Sequence, residues 1–328
     1  MSEKHKLIPY REKDHGSTLE EWAPHEGVWG WWYCTGCVHG LANPEEVYFY
    51  QYTCIRQYFG DTELYVGFLG FNDYRHNCRI YELAPTEVTD EYYANDTEVI
   101  MPNSYCVNEG NQIKLQGKGT DVQYDLVLTP RKDPVWHGDN GVLTMGLPDN
   151  KEERTVYCSY TNMETTGTIT YRHTNNVLVE IPVQGQTWFD RQWGPFKNFN
   201  WDWFSFRFFD GEEFMIFAWP NQPDFKENTG TYVDKKGKAT IFSDYSYTIN
   251  KYVKVDGIET DKMGLGWNFT VPFKDKNYQV IPLTDNQINI HPAGFYWEGL
   301  CDVINDKGKK VGYCIVEIVP VQEGGDIA

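Results

Sequence analysis

The residues with the most evident chemical use lie in VQGQTWFDRQWGPF, residues 183–196, where Asp190 and Arg191 stand among Trp188, Phe189, Trp193 and Phe196. A charge in so apolar a setting is costly unless it is paired or has a task. In an extended chain Trp188 and Asp190 share one face, and Phe189 and Arg191 share the other. A carboxyl group buried in an apolar pocket can keep its proton near neutrality and act as an acid. Indole faces beside it stabilise a developing cation. Together these suit protonation of an alkene followed by capture of the carbocation by water, or the reverse dehydration of a tertiary alcohol. The competing reading is architectural: ring-rich strand faces are usually core, and Asp190 would hold Arg207 or Arg56 in an ion pair. Arg191 is expected to be structural, held by a carboxylate or by backbone carbonyls.

Other chemistries find little support. No G-x-S-x-G, HExxH or GxGxxG is present, and the GKG at 117–119 lacks phosphate-loop spacing. Cys34-Thr-Gly-Cys37 lies in a strand-like run, where positions i and i+3 face opposite sides. No second ligand pair accompanies it. No metal and no cofactor are therefore expected, and acid-catalysed hydration needs none. His5, His15 and His25 belong to a polar leader and read as solvated.

The elements that must position Asp190 are strands. Helical periodicity is nearly absent, while VYFYQYTCIRQYF-type runs alternate with turn signals such as Asn140-Gly141 and Asp210-Gly211. The stretch at 83–96 reads as a loop or one short helix. The pattern predicts an all-β chain of antiparallel barrels or sandwiches. The length of 328 residues suggests two domains. A boundary near 185 gives domains 1–185 and 186–328. The aromatic content of 16% favours strands and pockets for flat or apolar ligands. A net charge of −18 argues against nucleic acid and anionic lipid as partners. No run approaches the ~18 apolar residues of a membrane span, and residues 1–22 show no apolar leader core. The eight scattered cysteines then read as reduced thiols in a cytoplasmic protein.

Six blocks in order carry a family resemblance: WGWWYCTGCV (29–38), YQYTCIR (50–56), WHGDNG (136–141), YCSYTNMETTGTI (157–169), GQTWFDRQWG (185–194), and WDWFSFRFFDGEEFMIF with FYWEGLCDV…GYCIVEI. The chain resembles the carotenoid 1,2-hydratase (hydroxyneurosporene synthase) and AttH-like family. The resemblance implies two lipocalin-like, calycin-type β-barrels packed together, with a cleft near their interface. It implies Asp190 as the catalytic acid, with Trp188 and Tyr160 beside it. The blocks nominate Trp32, Tyr33, Gln51, Arg56, Trp136, His137, Trp193, Trp201, Trp203, Trp297 and Glu298 for substrate binding. One departure stands out, since Gly30 occupies the place of the family's glutamate before Trp-Trp-Tyr.

Members of that family include carotenoid hydratases, a hydratase of prenylated isoflavonoids and Diels–Alderase-like pericyclases. The resemblance thus implies a lyase or hydratase acting on an apolar isoprenoid-like or polyphenolic molecule. The alternatives are a cofactor-free isomerase or pericyclase, in which Asp190 or Tyr160 polarises a carbonyl, and a lipocalin-like carrier. A glycosidase pairing Asp190 with Glu298 would need a defined carboxyl separation.

Overall fold

The computed structural model describes residues 21–59, 62–138, 140–145, 154–195, 200–219, 229–255, 258–291 and 294–320. Strand dominates them, and the chain parts into two compact units between Lys197 and Asn198. The expected boundary at 185/186 falls inside a strand, Leu178–Gly194, which hydrogen-bonds along its length to first-unit neighbours.

The first unit comprises β1 (Trp29–Gly40), β2 (Val47–Phe59), β3 (Thr62–Asp73), β4 (Cys78–Glu87), β5 (Tyr93–Ala94), β6 (Glu98–Met101) and β7 (Ser104–Asn108). It continues with β8 (Ile113–Lys118), β9 (Val122–Pro130), β10 (Val135–Trp136), β11 (Val142–Thr144), β12 (Arg154–Arg172) and β13 (Leu178–Gly194). They form one antiparallel sheet in the order β4-β3-β2-β1-β13-β12-β9-β8-β7-β6-β5, with β10 and β11 also on β12. Most neighbours are hairpin partners, as short turns dictate. The exception that matters is β1 against β13, which sets Tyr33 opposite Asp190.

The sheet curls, so that the Tyr171 hydroxyl of β12 donates to Asp73 at the end of β3 (2.7 Å), although β3 and β12 are not neighbours in the sheet. Inside the curl lies a core that includes Trp32, Tyr52, Leu69, Phe71, Leu115, Leu126, Ile169 and Phe189. β8 and β9 alternate buried and exposed residues, as a half-solvated sheet should. β13 alternates only at first: from Thr187 to Gly194 every residue is buried. Residues 83–87 complete β4, and no helix forms there. At Asn140-Gly141 both residues have positive φ (52° and 81°), but the turn leads from β10 to β11, which both pair antiparallel with β12, so it is not the hairpin that the dipeptide suggests.

The second unit comprises β14 (Trp201–Phe208), β15 (Glu213–Ala218), β16 (Thr229–Val233), β17 (Ala239–Phe242) and β18 (Ser246–Val255). Then follow β19 (Ile258–Val271), β20 (Lys276–Pro282), β21 (Ile288–His291), β22 (Gly294–Asn305) and β23 (Lys310–Val319). Their sheet runs β17-β16-β15-β14-β23-β22-β20-β19-β18, with β21 on β22. Rings fill its interior: Phe204 meets Trp267 edge-on at 5.3 Å, and Phe206 meets Phe269 at 5.2 Å. The chain is thus all-β, in two curled antiparallel sheets, as the sequence predicts.

Candidate active site

Asp190 sits mid-sheet on β13, opposite Tyr33 of β1 and Ser159 of β12. Strand alternation places Trp188 and Gln192 on its face, with Tyr157 from β12, Tyr33 and Thr35 from β1, and Gln51 and Thr53 from β2. The carboxyl group is buried. Its Oδ1 accepts hydrogen bonds from the Trp188 indole N–H (2.6 Å) and from the Ser159 hydroxyl. Its Oδ2 accepts one from the Tyr157 hydroxyl (2.8 Å). Behind Ser159 stands His137, fully buried, with Nε2 2.6 Å from Ser159 Oγ and its ring 4.2 Å from that of Tyr157. Farther along the same face Gln192 donates to Thr155 (2.7 Å), and Gln51 donates to Thr53 (3.1 Å).

The donor inventory orders this network. Burial pushes His137 down to about 3, so the imidazole is neutral at pH 7 and carries one ring proton. Ser159 has a single proton and gives it to Asp190. Its oxygen therefore accepts from His137 Nε2–H, which fixes the tautomer. A neutral histidine with so low a pKa takes no proton near neutrality, so His137 meets Ser159 as a hydrogen-bond donor. An indole N–H can only donate, so Oδ1 is an acceptor in either charge state of Asp190. Proton exchange is left to Oδ2 and the Tyr157 hydroxyl. The surroundings of Asp190 thus differ from the expected ring-lined apolar pocket, since three polar donors converge on it.

Arg191 points to the opposite face and serves the core. Its guanidinium donates to the carbonyls of Trp22 (3.2 Å), Ala23 (2.7 Å), Trp31 (3.3 Å) and Gln192 (3.0 Å). It also lies over the Trp32 ring at 4.2 Å. Carbonyls of the first unit hold it, and Asp190 is not its partner. This arrangement accounts for Gly30: a Cβ there would meet Arg191 Nη1 at 3.0 Å and Trp193 Cβ at 2.8 Å. The space that a longer side chain would need is taken by the arginine. A carboxylate is still at hand, since Glu21 is buried and accepts from Trp193 Nε1 (3.3 Å).

The residues nominated from sequence fall in three places. Asp190, Trp188, His137, Tyr33 and Gln51 gather on the aspartate's face. Tyr160 does not: it pairs with Phe189 on the core side, just before a register shift in β12, with ring centroids 6.2 Å apart. Trp32 is core, Trp136 packs against the Val142–Val156–Trp193 cluster, and Trp193 stacks on His25 at 3.6 Å. Arg56 pairs with Glu63 (2.5 Å) on the core side. In the second unit Trp297 is core, donating to the Asp285 carbonyl (2.8 Å). Trp203, Glu317 and Glu298 lie side by side across β14, β23 and β22, and Trp201 donates to Glu317 (2.6 Å). Sequence reasoning passed over Tyr157, Ser159 and Glu317. It also passed over Asp202, a buried carboxyl inside the second unit that accepts from Tyr247 (2.7 Å) and that burial raises to about 7.

Residues 19–319 match the AttH-like family across both units. The chain belongs to that family. The dehydratase asqC of Emericella nidulans is 23% identical over an alignment of 228 residues that covers 63% of this chain and 61% of that protein. The chain thus spans about three-fifths of the length of that relative. A solved structure from Nitrosomonas europaea, described as an AttH, superposes with a TM-score of 0.80 at 20% identity, over 93% of this chain and 97% of that one. Kievitone hydratase from Nectria haematococca superposes with a TM-score of 0.72 at 17% identity, over 93% and 92%. CghA with Sch210972 gives 0.54 at 9% identity, over 90% and 89%. At these identities the superpositions show a shared fold.

Proposed function

We propose that this AttH-like protein is a lyase that adds water to, or removes it from, a carbon–carbon double bond of an apolar isoprenoid-like or polyphenolic molecule. The observation that carries the reading is the buried Asp190, held at Oδ1 by Trp188 and Ser159 and meeting Tyr157 at Oδ2. The names of two relatives, a dehydratase and a hydratase, support the same reaction class.

In the hydration direction the Asp190 carboxyl gives its proton to an alkene carbon. The cation at the neighbouring carbon takes up water, and the oxonium returns one proton to the carboxylate. Alkene and water become alcohol, and the aspartate ends as it began. Dehydration runs the same steps backwards. Trp188 and Ser159 fix the carboxyl plane and leave Oδ2 for proton transfer, with Tyr157 donating to the anion as it forms. Preorganised donors of this kind offset the cost of a buried carboxylate. His137 holds Ser159 in place.

The test is incubation of the protein with a terpenoid and polyphenol library in heavy-oxygen water. A product heavier than its precursor by one molecule of that water supports hydration, and loss of water from a tertiary alcohol supports the reverse. A product of unchanged mass would move the assignment to the isomerase and pericyclase class, with Asp190 and Tyr157 polarising a carbonyl.

A further inference from the structure

Two hairpin turns meet at one end of the first unit. Asp73 closes β3 and caps the turn into β4, its Oδ1 accepting from the backbone N–H of Arg75 (3.1 Å) and of His76 (3.2 Å). Its Oδ2 accepts from Tyr171 (2.7 Å) and lies 2.7 Å from His76 Nδ1. His173 follows β12 directly, and its ring meets that of His76 edge-on with centroids 4.7 Å apart. One ligand atom from each of Asp73, His76 and His173 lies within 4.8 Å of the other two.

We propose that Asp73, His76 and His173 bind a divalent transition-metal ion of the zinc type, which staples the β3–β4 turn to the β12–β13 turn. Two imidazoles and one carboxylate suit zinc and its neighbours better than magnesium or calcium. Tetrahedral zinc holds its donors about 3.4 Å apart, from bond lengths near 2.0–2.1 Å. On binding, the 2.7 Å Asp73–His76 hydrogen bond opens to that spacing as His76 Nδ1 exchanges its proton for the metal, and the exposed His76 and half-buried His173 rings turn to meet it. Asp73 needs no rearrangement, since backbone amides and Tyr171 orient it as an outer shell orients a ligand. His173 Nδ1 lies 3.2 Å from the Thr174 hydroxyl and 3.4 Å from the Asn175 nitrogen, contacts within its own turn. Nearby cations are engaged elsewhere: Arg75 pairs with Glu46, and Arg172 with Asp121 (2.7 Å). The Cys78 thiol donates to the Arg172 carbonyl (3.4 Å) and is not part of the set. Three protein ligands leave a fourth position for water.

The site is independent of Asp190, since β12 runs from Ser159 to Arg172 before the chain reaches His173. Motif spacing could not reveal it, because His173 comes from a different hairpin from Asp73 and His76.

The experiment titrates the chelator-treated full chain with ZnCl2 by calorimetry, under reducing conditions, and with MgCl2 as the control. One zinc ion per chain is expected, with a higher melting temperature when bound. His76→Ala and His173→Ala should each weaken binding by more than the roughly 10–100-fold that loss of an outer-shell partner costs. Asp73→Asn, which keeps the oxygen that caps the turn, should weaken it as well. Cobalt bound to the unmodified chain should lack a thiolate charge-transfer band. Zinc affinity unchanged in both histidine variants, a thiolate band, or no zinc binding to the unmodified chain would each overturn the proposal.

Discussion

Arg191→Lys probes the core side of β13 without needing a substrate. The guanidinium reaches four carbonyl oxygens, of Trp22, Ala23, Trp31 and Gln192, through Nε and both terminal nitrogens, and lies over Trp32. Burial lowers its pKa to about 10, so it stays charged at pH 7. A lysine ammonium has three donors on a single atom and cannot copy the fork. One or two charge-assisted hydrogen bonds are lost, at about 1.5–3 kcal/mol each. The first unit should therefore lose about 2–5 kcal/mol, or roughly 4–20 °C in melting temperature at 2–4 °C per kcal/mol. The drop is read by scanning calorimetry at pH 7. Trp22 and Ala23 should also become accessible to protease, since their carbonyls are what the guanidinium grips. A melting temperature within about 2 °C of the parent, which corresponds to less than 1 kcal/mol, would refute this account of Arg191.

Tyr157→Phe removes the hydroxyl on Asp190 Oδ2 and should slow turnover by about 10–100-fold, the worth of one hydrogen bond to a charged group. Tyr160→Phe, on the core side, should leave the rate near that of the parent; equal losses in the two would undo the distinction. Asp202 is raised by burial to about 7 from 3.8, so between those values the folded second unit keeps a proton that the unfolded chain releases. Stability should fall as pH rises from about 4 to 7, by up to about 1.4 kcal/mol per unit, and Asp202→Asn should abolish that slope. His137, pushed down from 6.5 to about 3, gives the opposite slope in the first unit, so the difference between parent and variant is the quantity to read. Gly30→Ala should destabilise the first unit, because its Cβ would press on Arg191 Nη1 and Trp193; an unchanged melting temperature would count against the packing described.

Much of the strand plan was legible because alternation and turn dipeptides are local signals. The face shared by Trp188 and Asp190 followed from period two alone, and so did the separation of Asp190 from Arg191. The partners of Asp190 were not legible, because they depend on register between strands. Tyr157 and Ser159 reach Asp190 only through the pairing of β12 with β13, and a one-residue change of parity selects Tyr160 instead. The domain boundary was misplaced for a related reason. The aromatic block is the second half of β13, where both faces of the sheet become buried. Asp202 was hidden by its flanking tryptophans, which drew attention to the other face of β14. The Asp73–His76–His173 cluster joins separate hairpins and leaves no trace in spacing.

The central claim is that Asp190 gives and takes the proton. The most direct measurement is single-turnover hydration or dehydration by Asp190→Asn beside the parent, with the melting temperature of each. The amide keeps the size and still accepts from Trp188, while Tyr157 can accept from the new N–H. The account predicts a rate lower by about 10²–10⁴-fold, the worth of a general acid, with the melting temperature kept. Turnover at the parent's rate together with a lowered melting temperature would contradict it and leave Asp190 as architecture.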